Sequence, residues 1–522
     1  MHRVAALLVR FLQRPSRGGA RDHTVRPVPC CGESIVSSLL IRDAAILTLD
    51  RDDRFIERGD IRVVDGRIVS VHPGGKMVDD GAPAVDRGVD RVIDGRGLLA
   101  APGLVNAHTH SPGALLAGTM DTESHPAFMW LNQADTSGRT PQEVYISAML
   151  NAVQMLLAGV TTAIDHFPAQ NFGPEDIAAA VRAYEDSGMR MVLAVRIFDD
   201  TFGDIFPRDT KLPPDLEREL ARVAPLPPRP LAQTRELTED AIARYHAPDR
   251  RLSVFPAPTN PVRCTDALLE MSRDIAARFD VGIHTHLLES KVQTRLAQER
   301  HGCTMVEHLE RLGLLSPKLS CAHTIWIDDQ DIERLARHGV VVVHNPESNL
   351  KLGTGIAPIG RMVAAGVTVA LGSDGNVTND NQQLHEAMRL AAWLGRVAEP
   401  DRRKWVTARQ ALQMATHGGA TAARLADVGR IEAGCRADIV LYDLSRPEWT
   451  PVNDPVRQMV FSETGASVHT VVVDGRVLVE AGRITAFDAD AVIAEAKPML
   501  AAIRERNRDL YAFARRMGEL FP

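Results

Sequence analysis

Short apolar runs rich in Val, Ile and Leu alternate with longer amphipathic stretches through the middle of the chain. Eight such runs cover residues 103–110, 161–167, 190–196, 252–258, 280–287, 319–324, 340–346 and 367–374. Apolar runs of this length predict strands buried on both faces, as in a parallel sheet. The stretches between them carry helical periodicity, and several end in Gly, an ordinary helix stop. Strands and helices alternating in this way predict an α/β fold, a closed (β/α)8 TIM-like barrel.

The two ends read differently. Residues 37–98 and 426–487 hold short β-type runs punctuated by Asp-Gly and Gly turns, and each carries Val-Asp-Gly-Arg, at 64–67 and 473–476. That tetrapeptide suits a tight turn between two strands. The expected arrangement is one small β-sandwich assembled from both terminal segments, with the barrel (99–425) inserted between them. The Pro-rich stretch 207–230 reads as a loop insertion, and 488–522 as a C-terminal helix. Residues 1–36 are Arg-rich with no acid before Asp22, and read as a disordered extension or an upstream start.

Composition narrows the function classes. The net charge of −7 comes from well-mixed acids and bases, which excludes the clustered basic face a nucleic-acid binder needs. No apolar run reaches the ~18 residues of a membrane span. Six cysteines without CxxC spacing fit a reduced, cytoplasmic protein.

Histidines gather where strands end. His108 and His110 close the first strand, His284 and His286 the fifth, His323 the sixth and His344 the seventh, while Asp374 closes the eighth. The C-terminal strand ends of such a barrel form its active face. Residues two apart on a strand share a side, so His108 and His110 can present both imidazoles to one cation. His108, His110, His286 and Asp374 supply the ligands for one metal ion, which lowers the pKa of a bound water. Glu289, three residues past His286, is the candidate proton shuttle. His323 either orients the attacking oxygen or polarises the substrate. His284 reads as a buried, hydrogen-bonded histidine, and His166 and His344 as pocket-lining or orienting groups. Between Lys76 and Lys291 the only lysine is Lys211, so a lysine-bridged metal pair is not expected.

Taken together, P-G-L-V-N-A-H-T-H, A-G-V-T-T, H-L-L-E-S, C-A-H, S-N-L-K-L-G-T-G-I-A-P and L-G-S-D-G resemble the amidohydrolase superfamily. Within it they resemble the mononuclear-metal branch of guanine, adenosine and S-adenosylhomocysteine deaminases and triazine hydrolases. The resemblance implies a single zinc or iron on His108, His110, His286 and Asp374, with Glu289 and His323 handling protons. It implies a hydrolase acting on a non-peptide C–N bond of a small molecule, most simply deaminating a heterocycle, and commonly a homo-oligomer. Hydrolytic dechlorination or cyclic-amide hydrolysis are the alternatives at the same site, followed by a non-enzymatic binding role. Trp130, Thr259 and Asn349 fall where the branch contacts substrate. Three departures stand out. Thr259 replaces a histidine that meets a nucleobase-like substrate, the usual arginine before Trp130 is missing, and Glu347 adds a carboxylate beside Asn349.

Overall fold

The computed structural model describes residues 38–74, 89–167, 172–200, 212–223 and 228–520. Five strands open the described chain: β1 (Ser38–Leu47), β2 (Phe55–Val64), β3 (Arg67–Pro73), β4 (Arg91–Asp94) and β5 (Leu98–Pro102). The eight apolar runs then form β6 (Leu104–Thr109), β7 (Val160–Phe167), β8 (Arg190–Ile197), β9 (Leu252–Pro258), β10 (Ile283–Leu287), β11 (Leu319–His323), β12 (Val341–His344) and β13 (Thr368–Leu371). These pair in parallel as β6-β7-β8-β9 and β10-β11-β12-β13. Two backbone hydrogen bonds bridge the seams: His286 N–H donates to Thr259 O (3.3 Å) and Asp374 N–H to His108 O (2.9 Å). The circle is a TIM-like barrel, and both seams pass through residues of the predicted site.

Helices return the chain between strands, and their ends follow local rules. Pro141–Leu157 begins with a capping box in which Thr140 and Glu143 satisfy each other's backbone N–H groups. Pro174–Ser187 stops at Gly188, whose φ of 76° suits a residue without Cβ.

Four more strands follow: β14 (Ile439–Asp443), β15 (Val468–Val473), β16 (Arg476–Glu480) and β17 (Arg483–Ile484). They join the N-terminal strands in one nine-stranded sheet of order β17-β16-β15-β14-β5-β1-β2-β3, with β4 on β1. The junction is the antiparallel pair β5–β14, from Leu98 opposite Asp443 to Pro102 opposite Ile439. The two Val-Asp-Gly-Arg turns meet: a Cβ on Gly66 would stand 2.8 Å from Asp474 O, so only glycine lets the turns approach this closely. Sheet and barrel are tied by Arg190 of β8, a fully buried guanidinium that donates twice to Asp438 (3.0 Å each) and once to Asp474 (3.3 Å).

Two expectations change. The Pro-rich insertion contains a helix, Pro214–Val223, between stretches outside the described residues. The C-terminal segment is three helices, Ala489–Ala496, Met499–Arg506 and Arg508–Glu519. Pro498, which lacks an N–H, separates the first two. The last two pack on helix His125–Thr136: Phe513 stands edge-on to Trp130 at 5.5 Å and Arg504 pairs with Asp135 at 2.9 Å. The 1–36 extension lies outside the described residues.

Candidate metal centre

His108 and His110 end β6, His286 sits in β10, and Asp374 follows β13. Nε2 of His110 lies 3.2 Å from Asp374 Oδ1, Nε2 of His108 3.6 Å from the same oxygen, and Nε2 of His286 3.3 Å from Nε2 of His110. The four groups named from the sequence are therefore brought to one point.

Hydrogen bonds decide which nitrogens can bind a cation. His110 Nδ1–H donates to His166 O (2.9 Å) and His286 Nδ1–H to Thr259 O (2.7 Å). A carbonyl can only accept, so both Nε2 atoms carry bare lone pairs. His108 is set by a relay. Ser320 Oγ donates to Ile283 O and accepts from His284 Nδ1, so His284 Nε2 is left to accept from His108 Nδ1 at 2.8 Å. Nε2 of His108 is then bare too, and it is buried without a hydrogen-bond partner among the described residues. Three lone pairs and a carboxylate facing each other repel unless a cation sits among them. This is the donor set of a divalent metal with N/O ligands, and orienting partners behind each imidazole are typical of such sites. Ser348 Oγ–H (2.7 Å) and the Gly375 N–H (2.8 Å) fix Asp374.

For His108 and His286 the electrostatics agree, while His110 is pulled toward protonation by Asp374 until a cation takes the proton's place. Burial drives His286 well below the usual imidazole range and His108 down to about 3, so both rest as neutral ligands. Burial also opposes charging of His110, but the carboxylate of Asp374 outweighs it and raises that group. Asp374 is held well below the carboxylate range, because the two imidazoles overcome its burial.

Glu289 lies beside this cluster. Its Oε1 is 4.0 Å from His323 Nε2, and its Oε2 is 3.3 Å from Nε2 of His125. Burial alone would neutralise Glu289, yet the neighbouring imidazoles of His323 and His125 keep it ionised. His323 Nδ1–H donates to Asn349 Oδ1 (2.9 Å), which aims its Nε2 at Glu289 and, 3.9 Å away, at Asp374 Oδ2. His323 and Asp374 have φ of 69° and 60°, left-handed backbone that turns both side chains in at the strand ends.

The cavity over the cluster is lined by His110, His166, Thr259, His286, Glu289, His323 and Asp374, among others. Two residues expected to meet substrate do not line it. Trp130 is fully buried against Phe513, because the cavity face of its helix is that of His125, Met129, Asn132 and Gln133. Asn349 is buried behind His323. Glu347 also lies off the cavity; its carboxylate oxygens are buried without hydrogen-bond partners among the described residues, and burial raises its pKa to about 8. His284 is the buried relay just described, and His166 lines the cavity with its ring 4.6 Å from that of His286. His344 is buried away from it, its pKa lowered to about 3 by burial. Sequence reasoning missed His125, Arg196 and Arg263, which also line the cavity. None of the three lies in a strand-end histidine pattern.

Comparisons with known proteins follow the same line. The chain is 32% identical over 477 residues to a 5-methylthioadenosine/S-adenosylhomocysteine deaminase of Pelotomaculum thermopropionicum, covering 91% of this chain and all of the relative. An atrazine chlorohydrolase of Arthrobacter aurescens TC1, solved with zinc, superposes with a TM-score of 0.79 at 28% identity, over 88% of this chain and 100% of that one. An adenosine deaminase of Xanthomonas campestris with bound zinc gives a TM-score of 0.73 at 28% identity, over 90% and 98% of the two chains. The family model described as the amidohydrolase family matches residues 99–478. With the barrel and its strand-end cluster placed as above, the chain belongs to the amidohydrolase family.

Proposed function

We propose that the protein hydrolytically deaminates an aminated heterocycle at the cluster formed by His108, His110, His286 and Asp374. The observation that carries this is the convergence of bare Nε2 atoms on Asp374 with ionised Glu289 alongside. Its deaminase-named relatives support the same reading. When bound, a divalent metal supplies Lewis acidity that makes water acidic and offsets developing negative charge. Zinc is the metal favoured, since the solved neighbours carry it.

The chain's own residues then move the protons. Glu289 takes a proton from the attacking water and delivers it to the leaving nitrogen as the C–N bond breaks. His323, held by Asn349, orients the attacking oxygen. Ammonia leaves and the ring carbon retains oxygen. Thr259 borders the ring-binding space, and Trp130 and Asn349 act from behind the wall as positioning residues. The nine-stranded sheet, wrapped on its own apolar core of Ile41, Ile61, Ile439 and Val472, supports the reading of a small β-sandwich beside the barrel.

Glu289→Gln tests the assignment. It keeps the carboxylate's shape and should retain stoichiometric metal while kcat falls by about 10²–10⁴-fold. Wild-type turnover in that variant would remove Glu289 from the mechanism. Structural likeness to a chlorohydrolase, together with Thr259 in place of a base-contacting histidine, gives one second reading, loss of chloride. Measuring ammonia and chloride release in parallel separates the two.

A further inference from the structure

A second group of metal-binding side chains lies apart from the barrel mouth. Asp266, His301 and His308 each offer one donor atom, and these atoms all lie within 4.8 Å of one another. They come from three helices. Asp266 opens Asp266–Phe279, His301 closes Lys291–His301, and His308 belongs to Met305–Arg311. None of the three is among the described residues lining the cavity over the cluster. His308 is nearly buried, whereas the Asp266 carboxylate faces solvent and leaves a path for an ion.

Local structure does not account for the group. Thr265 caps the helix that Asp266 begins, taking the Leu268 N–H at 3.3 Å, so the Asp266 carboxylate is not needed there. That carboxylate instead accepts from His308 Nε2–H at 2.8 Å. His301 lies face to face on His308, with ring centroids 3.6 Å apart and planes 18° apart, and its ring makes no hydrogen bond among the described residues. Two imidazoles this close resist carrying a charge each. Burial of His301, with His308 and Arg300 adding to it, outweighs Asp266 and favours the neutral ring. Arg300 itself turns to Asp200 at 3.2 Å and to Val262 O at 2.7 Å. What remains is a neutral imidazole with a bare lone pair, stacked on a second imidazole that shares its proton with a carboxylate. Two nitrogens and one oxygen form a donor set suited to a late first-row divalent metal.

The geometry points to a second metal site: Asp266, His301 and His308 bind one Zn2+ from solvent, with water completing its shell. The ion displaces the proton between His308 and Asp266, which passes to solvent. Donors around a four-coordinate zinc stand about 3.4 Å apart, so the stack opens and the side chains rotate inward on binding. The site is independent of the cluster at the barrel mouth and of the reaction proposed there. Its consequence reaches that cluster through one helix. Lys291–His301 carries His301 at its far end, and Gln293 at its near end accepts the Glu289 N–H at 2.8 Å. Zinc on His301 therefore braces the helix that holds the backbone of the proton shuttle.

Equilibrium dialysis of the full chain against buffered zinc tests the site, with bound metal counted per chain. The wild type should take up two equivalents. The tighter should vanish in His110→Ala, and the weaker in His301→Phe, which keeps a ring stacked on His308 but deletes the donor. Asp266→Asn should weaken the second equivalent at least about ten-fold. If His301→Phe fails to fold, Asp266→Asn alone gives the reading. Amide exchange in Lys291–His301 should slow when the second equivalent is added to the wild type, and stay unchanged in His301→Phe. A single equivalent that His110→Ala abolishes overturns the site. So does a second equivalent that survives both His301→Phe and Asp266→Asn, since that ion binds elsewhere. A second equivalent lost as expected but without slower exchange keeps the site and overturns the brace. None of these readings depends on turnover, so the deaminase proposal stands or falls separately.

Discussion

His284 is not among the described residues lining the cavity over the cluster, yet it decides which nitrogen of His108 carries the proton. Its Nε2 accepts from His108 Nδ1 while Ser320 holds its other nitrogen. Replacing it with Phe keeps the volume and deletes the acceptor, which frees His108 to turn its proton toward the cation. Groups that orient a ligand in this way are worth about 10–100-fold in metal affinity. Zinc retention against a graded chelator series should fall by that factor in His284→Phe; unchanged retention would mean the relay orients nothing. At this scale the sequence was informative for residues tied to strand ends. His108, His110, His286 and Asp374 were legible because strand termination places them, whatever the rest of the chain does. His125, Arg196 and Arg263 were not, because a helix entry, a penultimate strand position and a short turn meet only through tertiary packing. Trp130 misled for a related reason: a motif names a helix but not the face that helix turns inward.

Helix His125–Thr136 forms one wall of the cavity, and the C-terminal helices are its backing. Trp130 meets Phe513, Asp135 meets Arg504, and Asn507 donates to the carbonyls of Ala134 and Ser137. Phe513→Ala should cost about 3–5 kcal/mol as a buried aromatic truncation. The thermal midpoint should drop accordingly, and KM should rise more than kcat falls, since the helix shapes binding and not the proton relay. A loss of kcat at constant KM would contradict that division. The barrel strands were readable from their uniform apolar runs, whereas the C-terminal segment was readable only as helical. Its breaks need Pro498 and the docking partner, and periodicity carries no partner.

Across the whole molecule, the joint between sheet and barrel depends on buried charge. Arg190 is sealed between Asp438 and Asp474, and Arg436 also reaches Asp474 at 3.0 Å. Arg190→Met leaves Asp438 buried without its guanidinium, while Asp474 keeps Arg436, a loss of about 3–5 kcal/mol by analogy with broken buried pairs. Denaturant melts should show that loss, and restoring neutrality with Asp438→Asn in the same chain should recover part of it. No recovery would assign the damage to packing alone. The nine-stranded sheet has a further consequence for how the protein is made. Ala101 of β5 pairs with Val440 of β14, a partner separated from it by the entire barrel. A ribosome therefore emits β5 with a bare strand edge that stays open until the whole barrel has followed it. Such late pairing slows folding and exposes edges to neighbouring nascent chains. Soluble yield should accordingly respond to chaperone supply and growth temperature more strongly than the finished enzyme's stability would suggest.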